Sequence, residues 1–225
     1  MPSFSPSLAW LGLAWGAYFA LHSLLASLTL KHWIARHRPG LVPAYRLAFN
    51  ALAVALVLPL LWATLSWDGP WLWRWQGVPG ALADGLALAA IAAFVWTLRG
   101  YDGGEFLGLR QLRTRQDTVE DQETLHISTF HRYVRHPWYF LGLVILWTRD
   151  MDSARLLATV LATAYFALGS RLEERKLLRY HGAAYARYRE RVPALLPRPW
   201  RRLRPEEASE LTAAARTDGA GGRRA

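Results

Sequence analysis

No Lys, Arg, Asp or Glu occurs between Met1 and Leu30, and the stretch LAWLGLAWGAYFALHSLLASLTL over 8–30 is continuously apolar. At about 1.5 Å of rise per residue, about 20 residues cross the ~30 Å hydrocarbon core of a bilayer, so this run is long enough to span it. Lipid offers no partner to a backbone N–H or C=O, and a helix satisfies those groups within one segment. The run therefore restricts the fold to a bundle of membrane helices. A cleaved signal peptide is the competing reading, but the run has no basic segment before it and exceeds the length of a signal core.

Two further runs have the same character, YRLAFNALAVALVLPLLWATL at 45–65 and GALADGLALAAIAAFVWTL at 80–98. Pro59 is expected to kink the second span, and the carbonyl it frees then needs a partner inside the bundle. A second apolar region starts at Pro137, breaks at Arg149–Asp152 and resumes to Ser170, which predicts a helical hairpin. Its first arm, 138–148, has only 11 residues, or about 16 Å of helix, and spans only if its outer turn lies shallow or the arm is re-entrant. The predicted fold class is an all-α integral membrane protein with about five transmembrane helices, a C-terminal helical hairpin and a cytosolic cofactor pocket. One domain covers 1–200, with N-terminal spans within 8–98, a loop over 99–136 and a C-terminal half over 131–197. The basic tail 201–225 has no apolar period and is expected to be disordered.

The formal net charge of +10, from 27 Lys+Arg against 17 Asp+Glu, would suit a nucleic-acid partner, but its placement does not. Residues 171–225 hold 14 of the 27 cations, and none precedes Lys31. A charge at the bilayer centre costs a few kcal/mol, so this segregation points to the lipid bilayer as partner and to no nucleic acid. The connections 31–46 and 99–135 carry four and six cations, whereas 66–79 carries only Arg74. The positive-inside rule then puts the N-terminus outside and the C-terminus in the cytosol. The Trp-dense WDGPWLWRWQG at 67–77 becomes an outer interfacial belt. With no Cys, disulfides, thiolate zinc sites and cysteine nucleophiles are excluded. His126, His131 and His136 recur every five residues, a spacing that does not align them on one helix face, so no metal site is expected.

A hairpin returns its two ends to one membrane face. Arg132, Tyr133, Arg135, His136 and Tyr139 are thereby expected beside Arg171, Glu173, Glu174 and Arg175. Cations flank membrane helices for topology alone, and Arg/Glu pairs at i, i+4 are common on surfaces. Glu173 and Glu174 contribute nothing to topology, however, and stand toward the negative end of a helix, where a cation has to compensate them. A ligand with both a carboxylate and an ammonium suits such a cluster, and adenosylmethionine has both, together with a transferable methyl group.

HRYVRHPWYFLG at 131–142 and SRLEERKLLRYHGAAYARYRERVPALLP at 170–197 resemble the C-terminal half of the isoprenylcysteine carboxyl methyltransferase and phospholipid methyltransferase superfamily. The shared pattern is R-H-P-x-Y, a helical hairpin, E-E-x-x-L and a Y-x-x-Y segment ending in V-P. LHSLLAS at 21–27, YRLAFN at 45–50 and FLGLRQ at 106–111 are similar to a bacterial branch that includes methanethiol S-methyltransferases. The resemblance implies methyl transfer from S-adenosyl-L-methionine in a bacterial inner membrane. It assigns Tyr133, Arg135, His136, Pro137, Tyr139, Gly142, Arg171, Glu173 and Glu174 to the cofactor pocket, with Arg175 as a further candidate.

The implied acceptor is a small thiol or another small or lipophilic molecule, the alternatives being an isoprenylcysteine carboxylate or a phospholipid amine. A thiol, with an unperturbed pKa of about 8.5, benefits from a nearby cation or base, for which Arg110, His126 and His131 are the candidates. No strand followed by a Gly-rich turn and helix is present, so the doubly wound nucleotide-binding fold is not expected. A silent membrane scaffold or sensor is the reading from another class. Oligomeric state has no signature in the sequence.

Overall fold

The computed structural model describes residues 7–116 and 125–221, with side chains described through 215. The middle of the loop predicted over 99–136 and the end of the tail predicted as disordered lie outside the described residues. Nine helices carry the described chain: α1 (Leu8–Ala26), α2 (Leu28–His37), α3 (Val42–Leu65), α4 (Gly77–Leu98), α5 (Gly103–Leu107), α6 (Leu109–Thr114), α7 (Pro137–Trp147), α8 (Ser153–Arg191) and α9 (Pro205–Gly221). Two short strands, β1 (Trp71–Trp73) and β2 (Met151–Asp152), pair antiparallel. Helices α1, α3 with its leading turn, α4 and α8 are long and apolar enough to cross a membrane, and α7 is the short arm expected from the sequence. The protein is thus an all-α, multi-pass membrane protein.

The chain divides into two compact units, Met1–Asp121 with Trp147–Ala162, and Gln122–Leu146 with Thr163–Ala225. In the first, the span predicted over 8–30 is really two helices. Ser27 adopts φ −68°, ψ 141°; its hydroxyl donates to Leu24 O at 2.7 Å and accepts from Leu30 N–H at 3.3 Å. One serine thereby ends α1 and caps α2. Leu11 and Trp15 of α1 pack with Ala154, and Trp15 Nε1–H donates to Thr64 Oγ1 of α3 at 3.1 Å. Helix α3 continues through Pro59.

Gly108 has φ +91°, and a Cβ there would stand 2.5 Å from Leu47 N, so the α5–α6 turn lies directly on α3. Asn50 Nδ2 and Arg46 Nε hold that turn by donating to Phe106 O at 3.1 and 3.2 Å. This gives the YRLAFN and FLGLRQ stretches a joint packing role.

The Trp-rich connection does more than anchor. Arg74 and Arg155 lie 5.0 and 4.6 Å from the Trp71 ring centroid, and Asp150 accepts Trp75 N–H at 2.8 Å. Arg149 pairs with Asp84 at 2.9 Å. Asp84 is seven residues into α4, about 10 Å along its axis. The α7–α8 turn is therefore held beside α4.

In the second unit α8 kinks at Gly182, whose φ of +47° is open to glycine and disfavoured for other residues. Beyond the kink, Ala184, Tyr185, Tyr188 and Val192 form a core with Leu125, Leu203, Ala208, Leu211 and Ala215. The last three belong to α9, which corrects the expectation of a disordered tail for the described residues of 201–225. Pro205 opens the helix, Glu206 and Glu207 occupy its first turn, and the Glu207 carboxylate accepts Arg204 N–H at 2.7 Å. Ala208, Leu211 and Ala215 then fall at i, i+3 and i+7 on one buried face.

Candidate functional site

The site is built on the segment 131–136, which leaves a 3-10 turn over Phe130–Arg132 and runs into the proline opening α7. Pro137 suits the first helical position because it lacks the N–H that a helix start leaves without a partner. The segment is tied down along its backbone. Arg135 N–H donates to Pro193 O at 2.9 Å, His136 N–H to Ala194 O at 3.0 Å and Leu203 N–H to Arg132 O at 3.0 Å. Tyr188 O–H donates to His131 O at 2.6 Å, and Arg132 Nε to Leu203 O at 3.1 Å.

On this frame the charges converge. Arg135 Nη2 stands 2.7 Å from Glu174 Oε1, and each side chain is only 9% exposed. The same guanidinium donates through Nη1 to Arg189 O at 2.9 Å and to Val192 O, so Arg135 also satisfies the carbonyls that end α8. Arg189 Nε approaches the second oxygen of Glu174 at 3.4 Å. The His136 ring bridges two carboxylates, with Nε2 3.2 Å from Glu174 Oε1 and Nδ1 3.5 Å from Glu173 Oε2. Burial on its own would depress the pKa of His136, but the hydrogen bonds and charges of Glu173 and Glu174 outweigh it and raise the value. Both ring nitrogens face acceptors, as an imidazolium requires.

Glu173 differs from its neighbour. Its side chain is 43% exposed, and it accepts Tyr139 O–H at 3.4 Å. The Tyr139 ring stacks on His136 at 5.3 Å and on Phe166 at 4.9 Å, nearly parallel to both. A Cβ at Gly142 would stand 3.3 Å from Phe166 Cε2. The missing side chain of Gly142 thus lets Phe166 of α8 close on α7 and complete the stack.

The structure brings together Arg135, His136, Tyr139, Glu173 and Glu174, with Pro137 and Gly142 shaping the helix that carries them. Tyr133 instead packs beneath the Arg132 guanidinium, 5.8 Å from its centroid. Arg171 and Arg175 are exposed, and among the described residues neither forms an ion pair. Of the three residues expected to activate an acceptor, Arg110 belongs to the first unit, is exposed and pairs with Asp102 and Glu105, each at 3.2 Å. His126 is exposed. The Nδ1 of His131 lies 2.7 Å from Ser128 Oγ. Burial, followed by the charges of His126 and His136, pushes the pKa of His131 down to about 4. Sequence reasoning missed Arg189 as the second cation on Glu174. The R-x-R-x-R alternation over 187–191 marks a charged stretch without saying which arginine turns inward.

Several named proteins are similar to this chain. Methanethiol S-methyltransferase 2 of Bradyrhizobium diazoefficiens is 30% identical over 189 residues, covering 83% of this chain and 71% of that protein. Methanethiol S-methyltransferase of Crocosphaera subtropica is 30% identical over 196 residues, covering 81% and 71%. Nurim of Sus scrofa is 30% identical over 180 residues, covering 76% and 68%. No family model and no solved structure matches the chain. Similarity at this level extends over most of each length. The chain belongs to the isoprenylcysteine carboxyl methyltransferase-like family of membrane proteins, together with the methanethiol S-methyltransferases and nurim.

Proposed function

We propose that this protein is an integral-membrane methyltransferase that takes its methyl group from S-adenosyl-L-methionine and passes it to a small thiol. The observation that carries the reading is the His136 ring held between Glu173 and Glu174 beside a stacked Tyr139, in a chain 30% identical to a methanethiol S-methyltransferase. We place the protein in a bacterial inner membrane, N-terminus outside and C-terminus cytosolic, with this cluster at a cytosolic cofactor pocket.

The residues fit the donor in a divided way. Arg135 and Glu174 satisfy one another and act as the buried foundation. Glu173, with an open carboxylate, receives the donor's ammonium. Arg171 and Arg175, exposed on the same helix, are the cations for its carboxylate. The Tyr139 face supports the aromatic end. Once bound, S-adenosyl-L-methionine supplies a methyl group on a sulfonium, and what the protein adds is alignment and exclusion of water. Transfer to a thiol breaks the sulfonium S–CH3 bond, forms the acceptor's thioether C–S bond, leaves S-adenosylhomocysteine and releases the thiol proton. His131, pushed down to about 4, is too weak a base to keep that proton near pH 7, and Arg110 is already neutralised by two carboxylates, which leaves the exposed His126 as our candidate to receive it.

A second reading, a silent scaffold or sensor, has its own support. Arg135 and Glu174 already saturate each other, and the name nurim states no reaction. Methyl-labelled S-adenosyl-L-methionine, offered to the detergent-solubilised protein with methanethiol, an isoprenylated cysteine or phosphatidylethanolamine, separates the readings. Label in dimethyl sulfide is the expected result. Label in one of the other two products replaces the thiol with that acceptor, and label in none of the three supports the silent scaffold.

A further inference from the structure

Residues 188–203 of the second unit, on both sides of the V-P signature, hold the backbone of the charged cluster. Four main-chain atoms between His131 and His136 are bonded to residues of 188–203: His131 O to the Tyr188 hydroxyl, Arg132 O to Leu203 N–H, Arg135 N–H to Pro193 O and His136 N–H to Ala194 O. Tyr188 and Leu203, which make two of these bonds, are each 2% exposed. Part of what buries them is the Ala208, Leu211 and Ala215 face of α9. Glu207 ties that helix back, pairing with Arg191 at 2.9 Å while accepting Arg204 N–H. Among the described residues, none of α9 lies among the charged groups of the site, so its influence runs through the residues it packs against, Tyr188 and Leu203 among them.

We propose that α9, acting through Leu203 and Tyr188, is a positioning clamp that fixes the backbone of Arg135 and His136 in the geometry required to hold the methyl donor. The clamp rests on the donor site proposed above, but its mechanical part can be read without it. Removing α9 uncovers Tyr185, Tyr188 and Leu203, loosens the 192–203 segment and frees the amides of Arg135 and His136 to exchange with solvent. A displaced pair of side chains weakens donor binding more than it slows the transfer once the donor is bound.

Two variants test this, a chain ending at Arg204 and the full chain with Tyr188→Phe, which deletes a single hydroxyl. Backbone hydrogen exchange is measured over 131–136 and over α1, α3 and α4, together with KM for S-adenosyl-L-methionine and kcat. For the shortened chain, exchange over 131–136 is expected to speed up by about tenfold while α1, α3 and α4 keep their protection. KM is expected to rise by about fivefold with kcat nearly unchanged. Tyr188→Phe moves both readouts in the same direction by less, and it decides the matter if the shortened chain does not fold. Unchanged exchange over 131–136 overturns the clamp, and so does a fall in kcat at constant KM. If the intact chain neither binds nor uses the donor, the proposed function fails, and the exchange result alone upholds or overturns the clamp.

Discussion

Glu173 and Glu174 are adjacent in sequence and opposite in circumstance. Glu174, 9% exposed, meets Arg135, His136 and Arg189. Removing its charge leaves the equally buried Arg135 without its anion, so Glu174→Gln should cost about 3–5 kcal/mol of stability. Glu173 is 43% exposed, and Glu173→Gln should change stability by less than about 1 kcal/mol while weakening donor binding by about tenfold. Thermal melting of the two variants beside donor titration checks the division. The two histidines give opposite pH limbs. His136, with a raised pKa, contributes stability that is complete below its unfolded value of about 6.5 and is lost as pH rises through the folded value. His131, lowered to about 4, contributes stability that is present above about 6.5 and is lost as pH falls toward 4. Melting temperature should therefore peak near neutrality, His136→Asn flattening the alkaline side and His131→Asn the acid side. Both carboxylates and His136 were legible from the hairpin and the family pattern. Their division into a buried and an open carboxylate was not, because it depends on Arg189, which only the kink at Gly182 and the turn of α8 beyond it carry into place.

Among the elements, the apolar runs were readable because hydropathy is what lipid imposes, and their ends were not. Ser27 sits inside an apolar stretch and still breaks it, since its hydroxyl can cap a new helix while costing little hydropathy. The α9 face escaped notice because two of its three buried residues are alanines, whose small side chains give a weak apolar period beside Arg, Glu and Gly. The α5–α6 turn supplies a prediction at this scale. Gly108→Ala places a Cβ 2.5 Å from Leu47 N at φ +91°. It should cost roughly 1–3 kcal/mol, seen as a lower melting temperature, with the charged cluster in the other unit untouched.

For the whole molecule, the pairing of β1 with β2 fixes a point that hydropathy leaves open. It brings the α7–α8 turn to the connection between α3 and α4. The orientation we propose, from the distribution of cations, puts that connection outside. The chain has no cysteine, so Arg74→Cys and Arg113→Cys can be compared in intact cells with a membrane-impermeant maleimide, the first expected to label and the second to be protected. The central claim is that this cluster is a cradle for the methyl donor, and titration of the detergent-purified protein with S-adenosyl-L-methionine tests it most directly. Saturable one-site binding, weakened about tenfold by Glu173→Gln and again by His136→Asn, is the expected result. Absence of binding, or binding indifferent to both substitutions, contradicts it.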